Sequence, residues 1–587
     1  MSANNKNSIF RRVRIITHLI FRRFRIPNSH FLDLLAIFVG IVSALVAFLF
    51  LESIELIRFG VSQLHSLVNE SLFLVLIPSM GGLLCGLTIF LFSANAQGQG
   101  IPYVIYAVLV KSGLLDLKNS ICRMLATIFT LGTMGSAGTE GPVVYFGSAV
   151  GSGFGQSLKL SPHNMKIMVG CGAAAGIAAT FQAPIGGVLF ALEAILHSFS
   201  PSIFSPIIIA SVVSAVTFKA IAGDHNNYLA DLVYEQQAWE VFGFVIVGVI
   251  CGLVAVGFVK LLSRFNTWFN SISIHPVLKP ALGGFLTGCI LLKIPEVEGN
   301  SYELVVNLVS GNSLLWQSLL LFLLLKILAT CFTLGSGGFG GIFAPSLVFG
   351  AIIGAITHMT LSVFFPQMSS AGIYVMVGMA SFVSGTTHGP FAAILILCEM
   401  TGNYTVILPL LAGCVSSIVV ARSIYELSAY SAPLMNLGIH LRDGHDLDVL
   451  KTYKVKDLME ENILSVNYDL QVRDVLKILH NSPHDHVLVR NEEDVIEGVI
   501  SYYYLTPFLL NQTDGLSKTA RETMHITKNF VYATDAVIVA YDLFLIKETS
   551  YLLVRDEQDC FLGIVFKADI MRSYRKALHQ KSLAMTH

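Results

Sequence analysis

The chain has 587 residues, of which 54% are hydrophobic and 13% charged, and its formal net charge is −1 at neutral pH. Soluble domains carry about 25% charged residues, so this composition, with a mean hydropathy of +0.68, excludes an ordinary soluble globular protein. It predicts a multi-pass protein in a lipid bilayer, and no nucleic-acid partner is expected.

The N-terminal segment, residues 1–29, is predicted to be a basic cytoplasmic tail. Its first 27 residues contain seven lysines and arginines and no acidic residue, and the cytoplasmic flanks of membrane proteins are enriched in these cations. The segment lacks the charged, apolar and small-residue order of a cleavable signal peptide. We therefore expect it to be retained on the cytoplasmic side.

Residues 30–428 are predicted to form an all-α, polytopic membrane domain with many broken helices. Apolar runs long enough to cross or enter a bilayer occupy 34–51, 71–92, 203–217, 241–259, 314–334 and 404–420. Other apolar segments are shorter or are interrupted by Gly and Pro, and broken backbone is tolerated at membrane depth only inside protein or around a polar cavity. We expect an integral protein of the plasma (inner) membrane.

A glycine-rich segment at 130–151 recurs at 333–354, a spacing of 333 − 130 = 203 residues, and nine of its twenty-two positions are identical. A second set of residues is repeated further along each copy: Gly172, Thr180, Pro184 and Glu193 match Gly378, Thr386, Pro390 and Glu399. The membrane domain therefore consists of two related halves, at about 30–222 and 239–428. Glycine-broken segments at matching positions of two halves predict a binding site between the repeats.

Three sequences that combine Gly and Pro predict helix N-termini able to bind an anion: GQGIP at 98–102, GTEGP at 138–142 and GIFAP at 341–345. Proline is favoured in the first turn of a helix, glycine allows close approach of the backbone, and the unpaired N–H groups of the first turn attract negative charge. We expect the second of these helices to begin near Pro142. The alternative, that the glycines serve only close helix packing, is weakened by the recurrence of the pattern.

Glu140 is the exceptional residue of these motifs, because it is the only acid between Asp116 and Glu193. An ionisable group at membrane depth is costly and is a functional hypothesis by default. At a helix N-terminus its carboxylate is attracted to the amides that would hold an anion. We expect it to compete with the anion and to swing away when protonated. Its counterpart in the second repeat is Phe343, so only one copy carries this gate.

The composition changes near residue 428, and a charged region with short β-like runs follows. It is predicted to contain a linker at 429–449, two related α/β domains at 450–511 and 518–578, and a tail at 579–587. Because no long apolar segment follows residue 422, this region and the N-terminus are expected on the same, cytoplasmic side.

The motifs GQGIP, GTEGP and GIFAP, in this order and with GCGAAAGIAATFQAPIGGVLFALE at 170–193, resemble those of the CLC family of chloride channels and chloride/proton antiporters. The C-terminal region resembles a pair of CBS domains. The resemblance covers roughly residues 30–578. It implies a homodimer in which each subunit has its own pore, built from two inverted repeats.

The resemblance also implies which groups contact the anion, with Glu140 as the gating glutamate. The implied anion-binding residues are Gly98, Gln99, Gly138, Thr139, Gly141, Ile342, Phe343 and Tyr425. The hydroxyl of Tyr425 is the expected pore hydroxyl, and Tyr430 is the alternative.

Two positions depart from the family pattern. The family's usual GSGIP has serine where this chain has Gln99, whose amide is bulkier and both donates and accepts hydrogen bonds; the preference among chloride, nitrate and other anions is therefore open. The family's antiporters carry a proton-transfer glutamate directly after a first glutamate. Here the first is Glu193 and the proton-carrying position is Ala194. Alanine cannot carry a proton.

Three other charged residues admit a structural and a functional interpretation. We interpret Glu193 and Glu399 as buried acids bonded to backbone or to a helix end, although Glu193 could relay protons in place of Ala194. Arg123 is either a basic residue deep in the membrane domain, where it raises the local potential, or a snorkelling side chain at a helix end.

The C-terminal region offers weaker candidates. His484, Asp485 and His486 have no second ligand cluster at zinc spacing, so we predict a solvated loop and no metal. The resemblance to CBS pairs implies adenosine-nucleotide binding through a strand that ends in Asp. The first copy has Tyr504 at that position, and the second has Asp569, whose carboxylate could accept from a ribose hydroxyl. We favour a structural, dimer-stabilising role over nucleotide binding, with no other cofactor.

The sequence thus predicts anion transport and no enzymatic activity. Passive, channel-like chloride conduction gated by Glu140 is slightly favoured, because Ala194 replaces the usual internal proton acceptor. The alternative is chloride/proton exchange, in which Glu140 shuttles protons outward and Glu193, another acid or a water chain completes the path inward. Cation transport is disfavoured because cation sites need clustered oxygen ligands, whereas the glycine-rich segments carry one acid.

Overall fold

The computed structural model divides into two compact units, with the boundary between Asn436 and Leu437. In the membrane unit it describes residues 28–65, 69–92, 100–223, 239–311 and 315–436. In the C-terminal unit it describes 453–573 apart from 462, 482–485, 493–494, 503–504, 507–514, 526–528, 547–548, 550, 559 and 571.

The regular elements of the membrane unit are helices in the described residues. The first repeat contains α1 (Asn28–His65), α2 (Glu70–Phe92), α3 (Gly100–Val110), α4 (Leu117–Gly132), α5 (Glu140–Leu158), α6 (Pro162–Phe181), α7 (Pro184–Phe190) with a π-helical turn (Ala191–Leu196), and α8 (Pro201–Ala222). The second contains α9 (Glu240–Ser271), α10 (Leu278–Leu291), α11 (Tyr302–Val309), α12 (Trp316–Gly335), α13 (Phe343–Ser362), α14 (Ala371–Thr387), α15 (Pro390–Thr401) and α16 (Ile407–Ile424), and α17 (Ala432–Asn436) follows.

Eight of the described helices are long and apolar enough to cross a membrane, namely α1, α2, α6, α8, α9, α12, α13 and α16. The six apolar runs of the sequence correspond to α1, α2, α8, α9, α12 and α16. The sequence did not single out α6 and α13, because glycine and polar residues interrupt their apolar runs. The shorter apolar helices α3, α7, α10, α14 and α15 confirm the prediction of a bundle with many broken helices.

Part of the glycine pattern serves helix packing. A Cβ atom on Gly147 would lie 2.2 Å from the carbonyl oxygen of Gly172, and one on Gly350 would lie 2.1 Å from that of Gly378. The first pair joins α5 to α6 and the second joins α13 to α14, so the two repeats use the same contact. The packing interpretation of the glycines is therefore correct for these four residues.

The membrane unit continues beyond residue 428, where the sequence placed the start of the linker. The N–H of Ala429 donates to the carbonyl oxygen of Thr386 at 2.8 Å, and α17 lies within the membrane unit. Residues 429–436 therefore belong to this unit. Composition did not reveal the boundary, because dense charge begins only after Leu441.

The C-terminal unit contains two three-stranded sheets of the same topology. The strands are β1 (Ser465–Asn467), β2 (His486–Arg490), β3 (Ile496–Ser501), β4 (Phe530–Tyr532), β5 (Tyr551–Arg555) and β6 (Phe561–Phe566), with helices α18 (Val472–Asn481), α19 (Ala520–Thr523) and α20 (Val537–Ile546). In each sheet the first pair of strands is parallel and the second antiparallel. This repetition confirms two related α/β domains.

The two α/β domains exchange their N-terminal segments. Glu460 of the first copy forms a β-bridge with Ile564 of the second, and His525 of the second forms one with Val499 of the first. The linear bounds predicted from the sequence therefore do not coincide with the packed units. Of the three residues weighed as metal ligands, His484 and Asp485 lie outside the described residues, and the ring of His486 lies 4.9 Å from that of Phe566.

Candidate functional site

The two glycine-rich segments pair directly with each other. The N–H of Gly138 donates to the carbonyl oxygen of Gly341 at 2.8 Å, and the N–H of Gly341 donates to that of Gly138 at 2.7 Å. These bonds form an antiparallel bridge between residues that occupy the same position in the two repeats. The predicted site therefore lies where the repeats meet.

Side-chain hydroxyls reinforce this junction symmetrically. The N–H of Ser136 donates to Oγ1 of Thr333 at 3.2 Å, and the N–H of Phe339 donates to Oγ1 of Thr130 at 3.4 Å. Each donor and each acceptor is separated from its counterpart by the repeat spacing of 203 residues (339 − 136 and 333 − 130). Each repeat thus holds the glycine-rich segment of the other.

Glu140 is the first residue of α5, and its side chain is completely buried. Its Oε1 accepts the N–H of Phe343 at 2.6 Å and that of Ala344 at 3.4 Å; these are the first two residues of α13. Its Oε2 has no hydrogen-bond partner among the described residues. The carboxylate therefore lies on the N-terminus of the helix from the other repeat, where its charge is favoured. Both helices begin two residues before their proline, which confirms the predicted start near Pro142.

The glycines of the bridge make room for this carboxylate. A Cβ atom on Gly138 would lie 2.1 Å from Oε2 of Glu140, and one on Gly341 would lie 1.9 Å from Oε1. A Cβ atom on Gly141 would lie 3.2 Å from the Cα of Gly341. Any larger residue at the first two positions would displace the carboxylate, so these glycines belong to the site and not to helix packing.

The residues beside Glu140 and the bridging glycines form the surroundings of the carboxylate. Thr139 precedes α5 and is 9% exposed, and Ile342 precedes α13 and is half-buried. The ring of Phe343 is buried with its centroid 5.2 Å from that of Phe181. The site thus offers backbone N–H groups between apolar walls, an arrangement suited to a small, partly dehydrated anion.

The two candidate pore tyrosines have different environments. Tyr425 directly follows α16, is half-buried, and has Nζ of Lys260 5.2 Å from its ring centroid. Tyr430 is 3% exposed, its Oη has no hydrogen-bond partner among the described residues, and it is close enough to Glu140 to interact with it electrostatically. Its ring packs edge-on against Phe190. Of the two candidates, Tyr430 therefore has the buried hydroxyl near Glu140, whereas the serine-isoleucine-tyrosine pattern pointed to Tyr425.

The first Gly-Pro motif is only partly visible. The predicted ligands Gly98 and Gln99 lie outside the described residues, and α3 begins at Gly100. Gly100 has a φ of +56°, in the left-handed region that glycine adopts without strain.

The repeat-related acids Glu193 and Glu399 each bind the N-terminus of a helix in the opposite repeat. Oε2 of Glu193 accepts the N–H of Ala392 at 2.9 Å. The carboxylate of Glu399 accepts the N–H groups of Ile185 at 3.0 Å and Gly186 at 2.7 Å. This confirms the interpretation of both as acids bonded to a helix end. Such an interaction is typically worth about 1 kcal/mol.

Arg123 lies deep in the membrane unit. It is 3% exposed, and its guanidinium carbon lies 4.7 Å from the ring centroid of Tyr145 and 5.0 Å from that of Tyr103. A third ring, that of Phe339, lies 5.9 Å away. Phe339 precedes Gly341 of the second glycine-rich segment by two residues. The structure therefore supports the deep basic residue and excludes snorkelling.

Comparison with known proteins agrees with this architecture. A family model described as voltage gated chloride channel matches residues 81–422, and a CBS domain model matches 455–510. A ClcB-like chloride channel protein of Ralstonia nicotianae is 31% identical over 365 residues, which cover 61% of this chain and 85% of that protein. The voltage-gated ClC-type chloride channel ClcB of Escherichia coli strain SMS-3-5 is 30% identical over 410 residues, which cover 68% of this chain and 97% of the relative.

Two solved structures share the fold. A slow cyanobacterial Cl⁻/H⁺ antiporter superimposes with a TM-score of 0.65 at 24% identity and covers 70% of this chain and 98% of its own. A eukaryotic CLC transporter superimposes with a TM-score of 0.66 at 18% identity and covers 92% of this chain and 97% of its own. With the family model matching more than half of the chain, these likenesses show that the protein belongs to the CLC family of anion transport proteins, with a CBS region at its C-terminus.

Proposed function

We propose that the protein exchanges chloride for protons across the membrane, with Glu140 alternately blocking the anion path and carrying a proton. The observation that carries the proposal is the position of its buried carboxylate on the N–H groups of Phe343 and Ala344. A chloride ion would need the same donors, so the carboxylate and the anion exclude each other. Protonation removes the negative charge and with it the attraction to the helix N-terminus. The side chain then leaves, and an anion takes its place.

Solved structures of the same fold favour exchange over passive conduction. They are described as a Cl⁻/H⁺ antiporter, a CLC transporter and a CLC-type fluoride/proton antiporter. The sequence alone slightly favoured channel-like conduction. That second candidate retains two supports: the buried Ala194 cannot hold a proton, and the Escherichia coli relatives are described as chloride channels.

The anion site in this proposal combines backbone donors with one hydroxyl. The N–H groups at the start of α13 bind the anion when Glu140 leaves, and Tyr430 supplies the hydroxyl because its Oη is buried without a hydrogen-bond partner among the described residues. Gln99 remains a predicted ligand from the first motif. Its amide would tune the choice between chloride and nitrate.

The proposal includes a homodimer in the plasma (inner) membrane with both termini in the cytoplasm. For the CBS pair we propose a structural role. The Oδ1 of Asp569, the carboxylate considered for a ribose, lies 3.5 Å from Nη1 of Arg572. The carboxylate thus has a partner within the chain, and the first copy has Tyr504 in place of the aspartate, which together favour the structural role.

Purified protein in liposomes tests the exchange. With a chloride gradient across the membrane and no potassium ionophore, chloride leaving down its gradient should drive protons uphill, measured with a pH electrode in weakly buffered medium. Anion flux that moves no protons would establish the channel-like alternative.

The assignment of the pore hydroxyl can be tested with two matched variants. Tyr430→Phe removes the buried hydroxyl and should weaken chloride binding about fivefold, the usual effect of one lost hydrogen bond, whereas Tyr425→Phe should leave it unchanged. Isothermal titration of the detergent-solubilised protein with chloride measures both. The opposite order of effects would return the role to Tyr425.

Glu193 is expected to be a structural acid and not the inward proton carrier. Glu193→Gln keeps an oxygen that can accept the N–H of Ala392 but cannot carry a proton between solvent and Glu140. Chloride and proton fluxes should therefore both persist, with their ratio unchanged. Loss of the proton flux with retained chloride flux would instead assign the inward path to Glu193.

A further inference from the structure

A cavity of about 1270 Å³ lies next to the gate. Thr139 and Phe181 line it; the first directly precedes Glu140, and the ring of the second packs against that of Phe343. Residues of the segment 294–301, between α10 and α11, also line it, and we call this the rim segment. The cavity thus connects the rim segment with the residues around the blocking carboxylate.

A buried lysine of α12 holds the rim segment. Lys326 is 0% exposed, and its Nζ donates to the carbonyl oxygens of Val297 at 2.6 Å and Gly299 at 2.7 Å. It also interacts electrostatically with Glu298. An ammonium group buried at this depth is costly unless it is compensated, and the Glu140 gate makes no use of it. Its cost indicates a function in holding the segment.

The neighbouring carbonyl groups of the rim segment accept hydrogen bonds from its last residue, Ser301. Oγ of Ser301 donates to the carbonyl oxygens of Glu296 at 2.7 Å and Glu298 at 3.2 Å. Of the four successive carbonyl groups 296 to 299, two therefore accept from the ammonium group of Lys326, and the other two share the single hydroxyl proton of Ser301. The shape of this wall depends on those two side chains.

The same region of α12 also holds the gate segment. One turn after Lys326, Oγ1 of Thr330 donates to the lysine carbonyl at 2.9 Å and lies 3.0 Å from Oγ of Ser136. Ser136 is two residues from Gly138, which makes room for the carboxylate of Glu140. One turn of helix therefore connects the rim segment to the glycine bridge.

The charged residues of the cavity wall are mostly acidic, so the position of the rim segment affects how an anion approaches. The described lining residues include six glutamates and one basic residue: Glu52, Glu55, Glu70, Glu296, Glu298, Glu303 and Arg58. Two of the glutamates belong to the rim segment. Because carboxylates repel an approaching anion over several ångströms, their direction decides how easily chloride reaches Thr139.

We propose that Lys326 is a positioning residue for anion access, which fixes the rim segment so that its two glutamates leave the cavity open to chloride. The proposal rests on the proposed function in one respect, namely that chloride must reach the site of Glu140, and it adds that chloride does so through this cavity. Lys326 should therefore affect the half-saturating chloride concentration and not the protonation of the gate.

Lys326→Met tests the proposal, with Lys326→Arg as the conservative variant. In liposomes, the methionine variant should raise the half-saturating chloride concentration about tenfold, the size of one lost charge-assisted hydrogen bond. The maximal rate should stay within about twofold, since only binding interactions are lost. Arginine retains the charge and the donors and should restore most of the affinity. The proposal would be overturned if the half-saturating chloride concentration did not change in the methionine variant, or if it rose equally in both variants.

Two further variants separate this result from folding and from the gate. Ser301→Ala removes the other anchor without entering the buried core and should shift half-saturation in the same direction by a smaller factor; an unchanged value would overturn the proposal even if Lys326→Met does not fold. In the Glu140→Gln background the shift caused by Lys326→Met should persist. If the shift disappears in that background, Lys326 acts on the gate, and its role in access is overturned. A failure of Glu140 as the gate would instead appear in the single variant Glu140→Gln, as an unchanged pH dependence.

Discussion

Glu140→Gln should make anion transport nearly independent of pH and abolish coupled proton movement. In the wild type, flux at a fixed chloride concentration should rise as pH falls, because protonated Glu140 releases the N–H groups of Phe343 and Ala344. Glutamine is neutral at every pH, and a neutral acceptor binds these donors about half as strongly as a carboxylate. Chloride should therefore displace the glutamine side chain at every pH. Chloride efflux from liposomes over a range of pH, with proton flux recorded in parallel, measures both effects.

Glu399→Gln is the matched control for this experiment. Glu399 is half-buried, whereas Glu140 is completely buried, but it likewise binds the first N–H groups of a helix in the other repeat. Its replacement should leave the pH dependence of transport intact. If Glu140→Gln retains the full pH dependence of the wild type, Glu140 is not the gate.

Gly341→Ala is expected to have the second large effect, through the same carboxylate. The added methyl group would lie 1.9 Å from Oε1 of Glu140 and 2.9 Å from the backbone nitrogen of Gly141. Such an overlap forces the carboxylate off the N–H groups, so transport should lose most of its pH dependence with Glu140 still present. Overpacking of this kind costs about 1–3 kcal/mol, which should also lower the thermal unfolding temperature in detergent.

Gly257→Ala controls for the general effect of adding a methyl group to a membrane helix. A Cβ atom at Gly257 meets nothing within 4 Å, so neither transport nor stability should fall. In the double variant Gly341→Ala, Glu140→Gln the pH dependence should equal that of Glu140→Gln alone, because both changes remove one interaction. Normal pH dependence in folded Gly341→Ala would contradict the described position of the carboxylate.

The repeat and the two helix N-termini were predictable because they depend on local sequence. Glycine and proline at matching places identify two helix N-termini without any knowledge of the fold, and a single glutamate distinguishes the first of them. The spacing of 203 residues also pairs Gly138 with Gly341, although it does not show that they form hydrogen bonds. The α/β character of the C-terminal region follows in the same way from its short β-like runs.

Contacts between distant segments could not be predicted from the sequence. The amides that hold Glu140 belong to the other repeat, and nothing local in the sequence indicates that its carboxylate crosses to Phe343 and Ala344. Tyr430 was ranked second because the serine-isoleucine-tyrosine pattern pointed to Tyr425, and no local pattern reveals that Tyr430 is buried in the membrane unit. Lys326 was overlooked altogether, since a lone lysine in an apolar run gives no sign of the two carbonyl groups it binds.

Proton-driven chloride accumulation tests the exchange most directly. Liposomes containing the wild-type protein, with equal chloride on both sides and a pH gradient, should move labelled chloride uphill until the two gradients balance, because coupling between two ions is reciprocal. Liposomes with Glu140→Gln should conduct chloride and accumulate none. If the wild-type protein also lets chloride exchange freely without accumulation, the two ions are not coupled and the proposed exchange is contradicted.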